Sequence, residues 1–337
     1  MSGRRPARRP ATSKLGDEAP DPEGLEAALP GTVIRAYGKY FTVLLDDGRA
    51  LLSTIKGGLK RRRRGTDLVA VGDKVLVTDV GEGEGRIEHV FPRRSALSRL
   101  ARHTGDVEQV ILANPDQALF LFAVREPEPH PRLLDRFLVM AESRGLPALI
   151  GVNKMDLDAP VPNGQPSLAR ATFADYEPIY PVYYLSVKTG AGLDELRAAL
   201  SGKITAVAGP SGVGKSSLLN AFDPERERTV GTISEATGKG RHTTVATVLH
   251  RIPGEDGTFV ADTPGIRALS LQGVDLSQLD ELFPEMRPYL GACRYTDCTH
   301  VHEPGCAIRE AVTEGRISPE RYVSYARLRR GETDDTD

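Results

Sequence analysis

Cysteine is scarce in this chain, with three residues in 337. So small and odd a number excludes a disulfide framework and sets the expectation of a cytoplasmic protein. Net charge is also scarce: 44 Lys and Arg against 46 Asp and Glu leave −2. Any contact with nucleic acid must therefore come from local patches rather than from the overall field. No apolar run approaches the length of a membrane span, so no membrane partner is expected. Arg4, Arg5, Arg8 and Arg9 have no apolar segment behind them, which excludes a secretory signal there. What remains is 39% hydrophobic and 27% charged. That is the make-up of a soluble globular protein with room for two or three domains.

The most informative stretch is Gly209-Pro210-Ser211-Gly212-Val213-Gly214-Lys215-Ser216, followed by Ser217. It lies between an apolar run at 204–208 and a helix-compatible segment, the strand–loop–helix setting of a phosphate-binding P-loop. Gly209 and Gly214 permit the tight path on which backbone amides converge on a phosphate. The helix N-terminus and Lys215 add positive charge, and the Ser216 hydroxyl suits a phosphate-bound Mg²⁺.

Residues 1–30 are rich in Arg, Pro and Ala with no hydrophobic period, and read as a disordered basic tail. Short β-type runs at 32–34, 40–45, 49–53, 75–79 and 87–90 then alternate with turn signals. They predict a small closed β-barrel over residues 31–95, an OB-fold being the obvious candidate. Lys56, Lys60, Arg61, Arg62, Arg63 and Arg64 share one loop, and Tyr37, Tyr40 and Phe41 lie nearby in sequence. Cations for a phosphate backbone and aromatic faces for bases are the means of holding single-stranded RNA. Arg93, Arg94, Arg99 and Arg102 extend the basic character into a linker.

From about Asp106 strand and helix patterns alternate, implying a doubly wound α/β domain over residues 106–272. A buried strand at 147–152 runs into Asn153-Lys154-Met155-Asp156. An ionised Asp156 can accept from guanine's N1–H and exocyclic amine, whereas adenine would leave that carboxylate unpaired. The Lys154 stem can lie over the base and Asn153 can brace the P-loop. Ser186-Val187-Lys188 offers a backbone amide for the guanine carbonyl. Beyond the P-loop, the polar segment 230–245 contains Arg241-His242-Thr243-Thr244 and suits a loop that orders around a γ-phosphate. Either Thr243 or Thr244 would complete the Mg²⁺ shell. Asp262-Thr263-Pro264-Gly265 closes the set: Asp262 for a Mg²⁺-bound water, the Gly265 amide for the γ-phosphate.

All three cysteines fall in Cys293-x₄-Cys298-x-His300-x₅-Cys306. Three thiolates and one imidazole make a closed, structural set for one Zn²⁺, with His300 or His302 as the nitrogen ligand. Residues 273–331 read as a helical zinc-binding domain with helices at 307–314 and 319–330, ahead of an acidic tail at 332–337.

The guanine elements match those of translation-factor-class GTPases, but the base-recognition pair precedes the P-loop, switch and Asp-x-x-Gly turn. This is a circular permutation. With the barrel before it and the Cys/His cluster after it, the chain closely resembles the bacterial ribosome small subunit-dependent GTPase A family over residues 31–330. The resemblance implies hydrolysis of GTP to GDP, stimulated by the 30S subunit and its 16S rRNA, in late small-subunit maturation by a monomer. It selects Cys293, Cys298, His300 and Cys306 as zinc ligands. Ile266 follows the Asp-x-x-Gly turn and cannot orient water as a glutamine would. The family's apolar residue there points to His242 as the substitute catalytic group, with Lys215 and Thr244. The rival readings are an ATPase or kinase, which Asp156 argues against, and an RNA-binding scaffold with an idle nucleotide site.

Overall fold

The computed structural model describes residues 27–57, 68–100, 108–158, 167–224, 247–262 and 274–332. Outside them lie Lys60 and Arg61 to Arg64, the segment with His242, Thr243 and Thr244, the turn residues Thr263, Pro264 and Gly265, and residues 333–337.

In chain order the first elements are β1 (Ala28–Tyr37), β2 (Tyr40–Leu45), β3 (Ala50–Ile55), β4 (Lys74–Gly81), β5 (Glu84–Val90), β6 (Ala96–Leu100) and β7 (Glu108–Ala113). Next come β8 (Gln117–Ala123), α1 (Pro131–Ser143), β9 (Ala148–Asn153), α2 (Leu168–Phe173), β10 (Val182–Tyr184) and α3 (Leu193–Leu200). Then follow β11 (Ile204–Ala208), α4 (Lys215–Phe222), β12 (Val248–Arg251) and β13 (Phe259–Asp262). Two 3-10 helices, Leu276–Leu282 and Pro284–Tyr289, precede α5 (Ala307–Thr313) and α6 (Pro319–Arg329). The chain divides into two compact units, one from 1–117, 197–208 and 215–269, the other from 118–196, 209–214 and 270–337.

In the first unit, β1-β2-β3-β5-β4 close into a barrel. The alternation read from sequence is what closes it: Val33, Phe41, Val43, Leu51, Val75, Val77 and Ile87 all point into one core. β3 pairs with β5 in parallel and the other neighbours are antiparallel, so no strand is left with a free edge. Phe41 is one of these core residues, 5% exposed, so its ring is not a stacking face. The stretch read as a basic linker forms β6, paired antiparallel with β7. Its Arg93 is not a surface charge: it forms a two-pronged pair with Asp73 at 2.7 Å, buried on both sides. The same unit holds β11-β13-β12, with β13 parallel to β11 and Val207 opposite Asp262.

In the second unit, β10, β9 and β8 run parallel. β8 and β9 are buried along their whole length, as continuous apolar runs in a parallel sheet must be. Phe137 of α1 stacks on Phe120 of β8, with ring centroids 5.3 Å apart. Each such side chain taken from water contributes about 1.5–3 kcal/mol. The C-terminal helices close over Leu279, Phe283, Met286, Ile308, Ile317, Tyr325 and Leu328, a core that also receives Val139 of α1.

Candidate functional site

The P-loop leaves β11, whose five residues are all buried, and ends where α4 begins at Lys215. Gly209 has φ of +152°, and a Cβ there would stand 2.0 Å from the Leu121 carbonyl oxygen. Gly214 has φ of +99°, and its Cβ would stand 2.4 Å from Asn153 Nδ2. Both positions thus require glycine, for backbone conformation and for space. Val213 between them is fully buried and anchors the turn. Lys215, Ser216 and Ser217 open α4, which places their amides at a helix N-terminus. Asp262 ends β13 opposite Val207, at the carboxyl end of its strand.

Asn153 is the keystone of the second unit. Its Nδ2 donates to the Val213 carbonyl at 2.8 Å, and its Oδ1 accepts from the Val187 amide at 3.1 Å. One buried side chain thereby ties the P-loop turn to the Ser186-Val187-Lys188 loop. Next to it, the Ser186 hydroxyl donates to Asp156 Oδ1 at 2.6 Å, and Lys188 Nζ lies 3.4 Å from Oδ2. The Ser186 hydrogen bond, with Lys188 adding to it, holds the Asp156 carboxyl below the usual carboxylate range. Asp156 is therefore an ionised, oriented acceptor in a fixed frame. Lys154 has a left-handed backbone, φ +64°, and its ammonium donates to the Glu126 carbonyl. That fixes the far end of the stem. Glu126 could not be found from sequence, because the contact is made by its backbone.

The cysteine cluster comes from one loop between the second 3-10 helix and α5. One donor atom each from Cys293, Cys298, His300 and Cys306 lies within 4.8 Å of all the others. His300 Nδ1 is 3.4 Å from both Cys293 Sγ and Cys306 Sγ, and the two sulfurs are 3.9 Å apart. A tetrahedral ion with metal–sulfur bonds of about 2.3 Å needs sulfurs about 3.8 Å apart, so the donor set fits a metal. His300 Nε2 faces Asp280 at 3.3 Å, which fixes the ring orientation as an outer partner does in metal sites. His302 is on the surface, its side chain 80% exposed, and stands outside the cluster. Glu303 braces the loop by accepting from the Thr299, Val301 and His302 amides. Burial alone would raise the Glu303 carboxyl, but these donors and the Thr299 hydroxyl hold it far below its ordinary value. Neither Asp280 nor Glu303 carries a signal in the sequence.

On the barrel, Tyr37 and Tyr40 face each other across the β1–β2 turn and are 58% and 43% exposed. Lys39 Nζ lies 5.2 Å from the Tyr40 ring centre. Lys56 is paired with Glu88 at 2.9 Å, a carboxylate it shares with Arg86.

A family model described as RsgA GTPase matches residues 90–272. The small ribosomal subunit biogenesis GTPase RsgA of Gemmatimonas aurantiaca is 44% identical, over 89% of this chain and 96% of that protein. The protein of the same name from Moorella thermoacetica is 40% identical, over 88% and 95%. Among solved structures, YjeQ from Thermotoga maritima matches with a TM-score of 0.72 and 31% identity, over 92% of this chain and all of that one. YloQ, described as a circularly permuted GTPase, matches with a TM-score of 0.70 and 28% identity, over 94% and 98%. With its nucleotide-binding elements in permuted order and this likeness running from the barrel to the cysteine cluster, the chain belongs to the RsgA GTPase family.

Proposed function

We propose that this chain hydrolyses GTP to GDP and phosphate on the small ribosomal subunit during its biogenesis, and leaves after hydrolysis. The observation that carries the guanine half is the frame around Asn153, which holds the P-loop and an oriented Asp156 carboxylate together. In this reading Asp156 accepts from the guanine N1–H and amine, Lys154 covers the base, and the loop of Ser186 and Lys188 supplies an amide to the carbonyl. Gly209 to Ser217 cradle the phosphates, with Lys215 as the neutralising cation. Ser216, Asp262 and Thr244, or Thr243 in its place, hold Mg²⁺, which offsets charge on the phosphates. The Gly265 amide touches the γ-phosphate, and His242 orients the attacking water.

Cys293, Cys298, His300 and Cys306 hold one structural Zn²⁺, all four positions being filled by protein. The barrel binds 16S rRNA through Lys56, Lys60 and Arg61 to Arg64, with Tyr37 and Tyr40 of the β1–β2 turn as exposed rings for stacking. The domain plan is a basic tail at 1–30, the barrel at 31–95, the permuted GTPase domain at 106–272, the zinc domain at 273–331 and an acidic tail at 332–337. The protein works as a cytoplasmic monomer; no helix among the described residues is long and apolar enough to cross a membrane.

The test is Asp156→Asn. An amide at that position donates where the carboxylate accepted, so preference moves from guanosine to xanthosine triphosphate. Unchanged GTP preference removes the assignment.

A further inference from the structure

Two attachments of helix α6 bear on the metal cluster and on α1. On one, the Tyr322 hydroxyl donates to the His300 carbonyl at 2.9 Å and the Tyr325 hydroxyl to the Thr299 carbonyl at 2.8 Å. These are the backbone carbonyls of the metal-cluster loop itself. On the other, Arg321 is 2% exposed and bound on three sides. It donates from Nη1 to Asp135 of α1 at 2.5 Å, and from Nε and Nη2 to Glu285 at 2.8 and 3.2 Å. Its guanidinium lies over Phe283 at 4.7 Å and Tyr176 at 5.2 Å. Asp135 also accepts from the Tyr176 hydroxyl at 2.8 Å, so its carboxylate is held by two donors.

The same N-terminal end of α1 that carries Asp135 reaches the nucleotide elements. Its N-cap His130 accepts from the Leu133 amide, and the turn just before it carries Glu126 and Pro127. Glu126 gives its carbonyl to Lys154, and Pro127 stands 3.7 Å from the position of a Cβ on Gly212 of the P-loop. A continuous set of hydrogen-bonded and packed groups therefore runs from the cluster loop through α6 and α1 to Lys154.

We infer that Arg321 is a positioning residue for guanine-nucleotide binding, through which occupation of the Cys₃His cluster and affinity at the guanine pocket are coupled. The inference rests on the guanine-site reading above. A bound metal orders the cluster loop, the loop fixes α6 through its tyrosines, and Arg321 fixes α1 and the turn that holds Lys154. Coupling of this kind is reciprocal: the nucleotide must tighten metal binding by the factor by which metal tightens nucleotide binding.

The test uses the full chain, metal-loaded and chelator-stripped, titrated with a fluorescent GDP while circular dichroism monitors folding. Stripping raises Kd about tenfold, within the usual range of such couplings. GDP in turn raises metal affinity by the same factor, read by competition with a chromophoric chelator on the loaded chain. Arg321→Lys cannot make the two-pronged contact, and Tyr322→Phe with Tyr325→Phe cuts both hydroxyl bonds with little change in packing. Each reduces both ratios to less than about twofold. A wild-type ratio already within twofold overturns the coupling, as do variants that keep the full ratio. If stripping unfolds the chain, the metal competition with and without GDP decides alone. A loaded wild-type chain that fails to bind GDP brings down the guanine site itself, a distinct result.

Discussion

The side-chain amide of Asn153 donates to the carbonyl of Val213, sixty residues along the chain, at 2.8 Å, while its oxygen takes the Val187 amide. Asn153→Ala leaves both backbone groups without their partner, and a buried group in that state costs about 1–3 kcal/mol. GDP and GTP binding should weaken together by about tenfold to a hundredfold, since about 1.4 kcal/mol is a factor of ten. Fluorescence titration with each nucleotide checks this; loss confined to GTP would contradict the bracing role.

The Ser186 hydrogen bond sets where Asp156 titrates. A carboxyl whose pKa is depressed in the folded state keeps its charge as pH falls, and its contribution is lost only when pH passes through the folded value. Guanine affinity in the wild type should therefore hold across the ordinary aspartate range and fall only below it. In Ser186→Ala the decline begins at higher pH. Overlapping profiles of GDP affinity against pH would show that Ser186 does not tune the site.

The metal set makes a prediction by exchange. Cys306→Ser should abolish stoichiometric metal and lower the melting temperature, because Cys306 sits in the C-terminal core. His302→Ala should keep one metal per chain, since its ring is exposed and outside the donor cluster. Elemental analysis of both variants decides, and loss of metal in His302→Ala would reverse the ligand choice.

Asp73 and Arg93 form a fully buried pair in the first unit, and Asp73 also accepts from the Ala70 amide at 2.8 Å. Asp73→Ala removes the carboxylate that neutralises the buried guanidinium, at a cost of about 3–5 kcal/mol. Denaturant unfolding should show that loss. A change within about 0.5 kcal/mol, the usual range for a surface substitution, would mean Arg93 finds water instead.

Local chemistry was legible in the sequence. Glycine spacing marked the P-loop, where Gly209, Gly212 and Gly214 all occupy positive φ and the first and last also leave no room for a Cβ. Period-two alternation marked the barrel strands, and cysteine spacing marked the metal cluster. Phe41 shows where composition misleads and alternation does not: an aromatic among exposed tyrosines suggests a stacking face, yet two residues before Val43 and four before Leu45 it shares the inward face of β2. β6 was hidden for a different reason. Arginines at 93, 94, 99 and 102 suggest a solvated linker, and it is the distant Asp73 that makes Arg93 internal. Arg321 is the extreme case. It lies in an arginine-rich terminal helix, and the carboxylate that buries it is 186 residues away. Contacts through backbone carbonyls, such as Glu126 with Lys154, carry no residue signal at all.

The most direct measurement is phosphate release from GTP and from ATP, each with and without purified 30S subunits. The expected result is slow turnover of GTP alone that rises many-fold on adding 30S, with ATP left untouched. Equal ATP turnover would contradict the guanine frame around Asn153 and Asp156, and GTP turnover indifferent to 30S would contradict the ribosomal role.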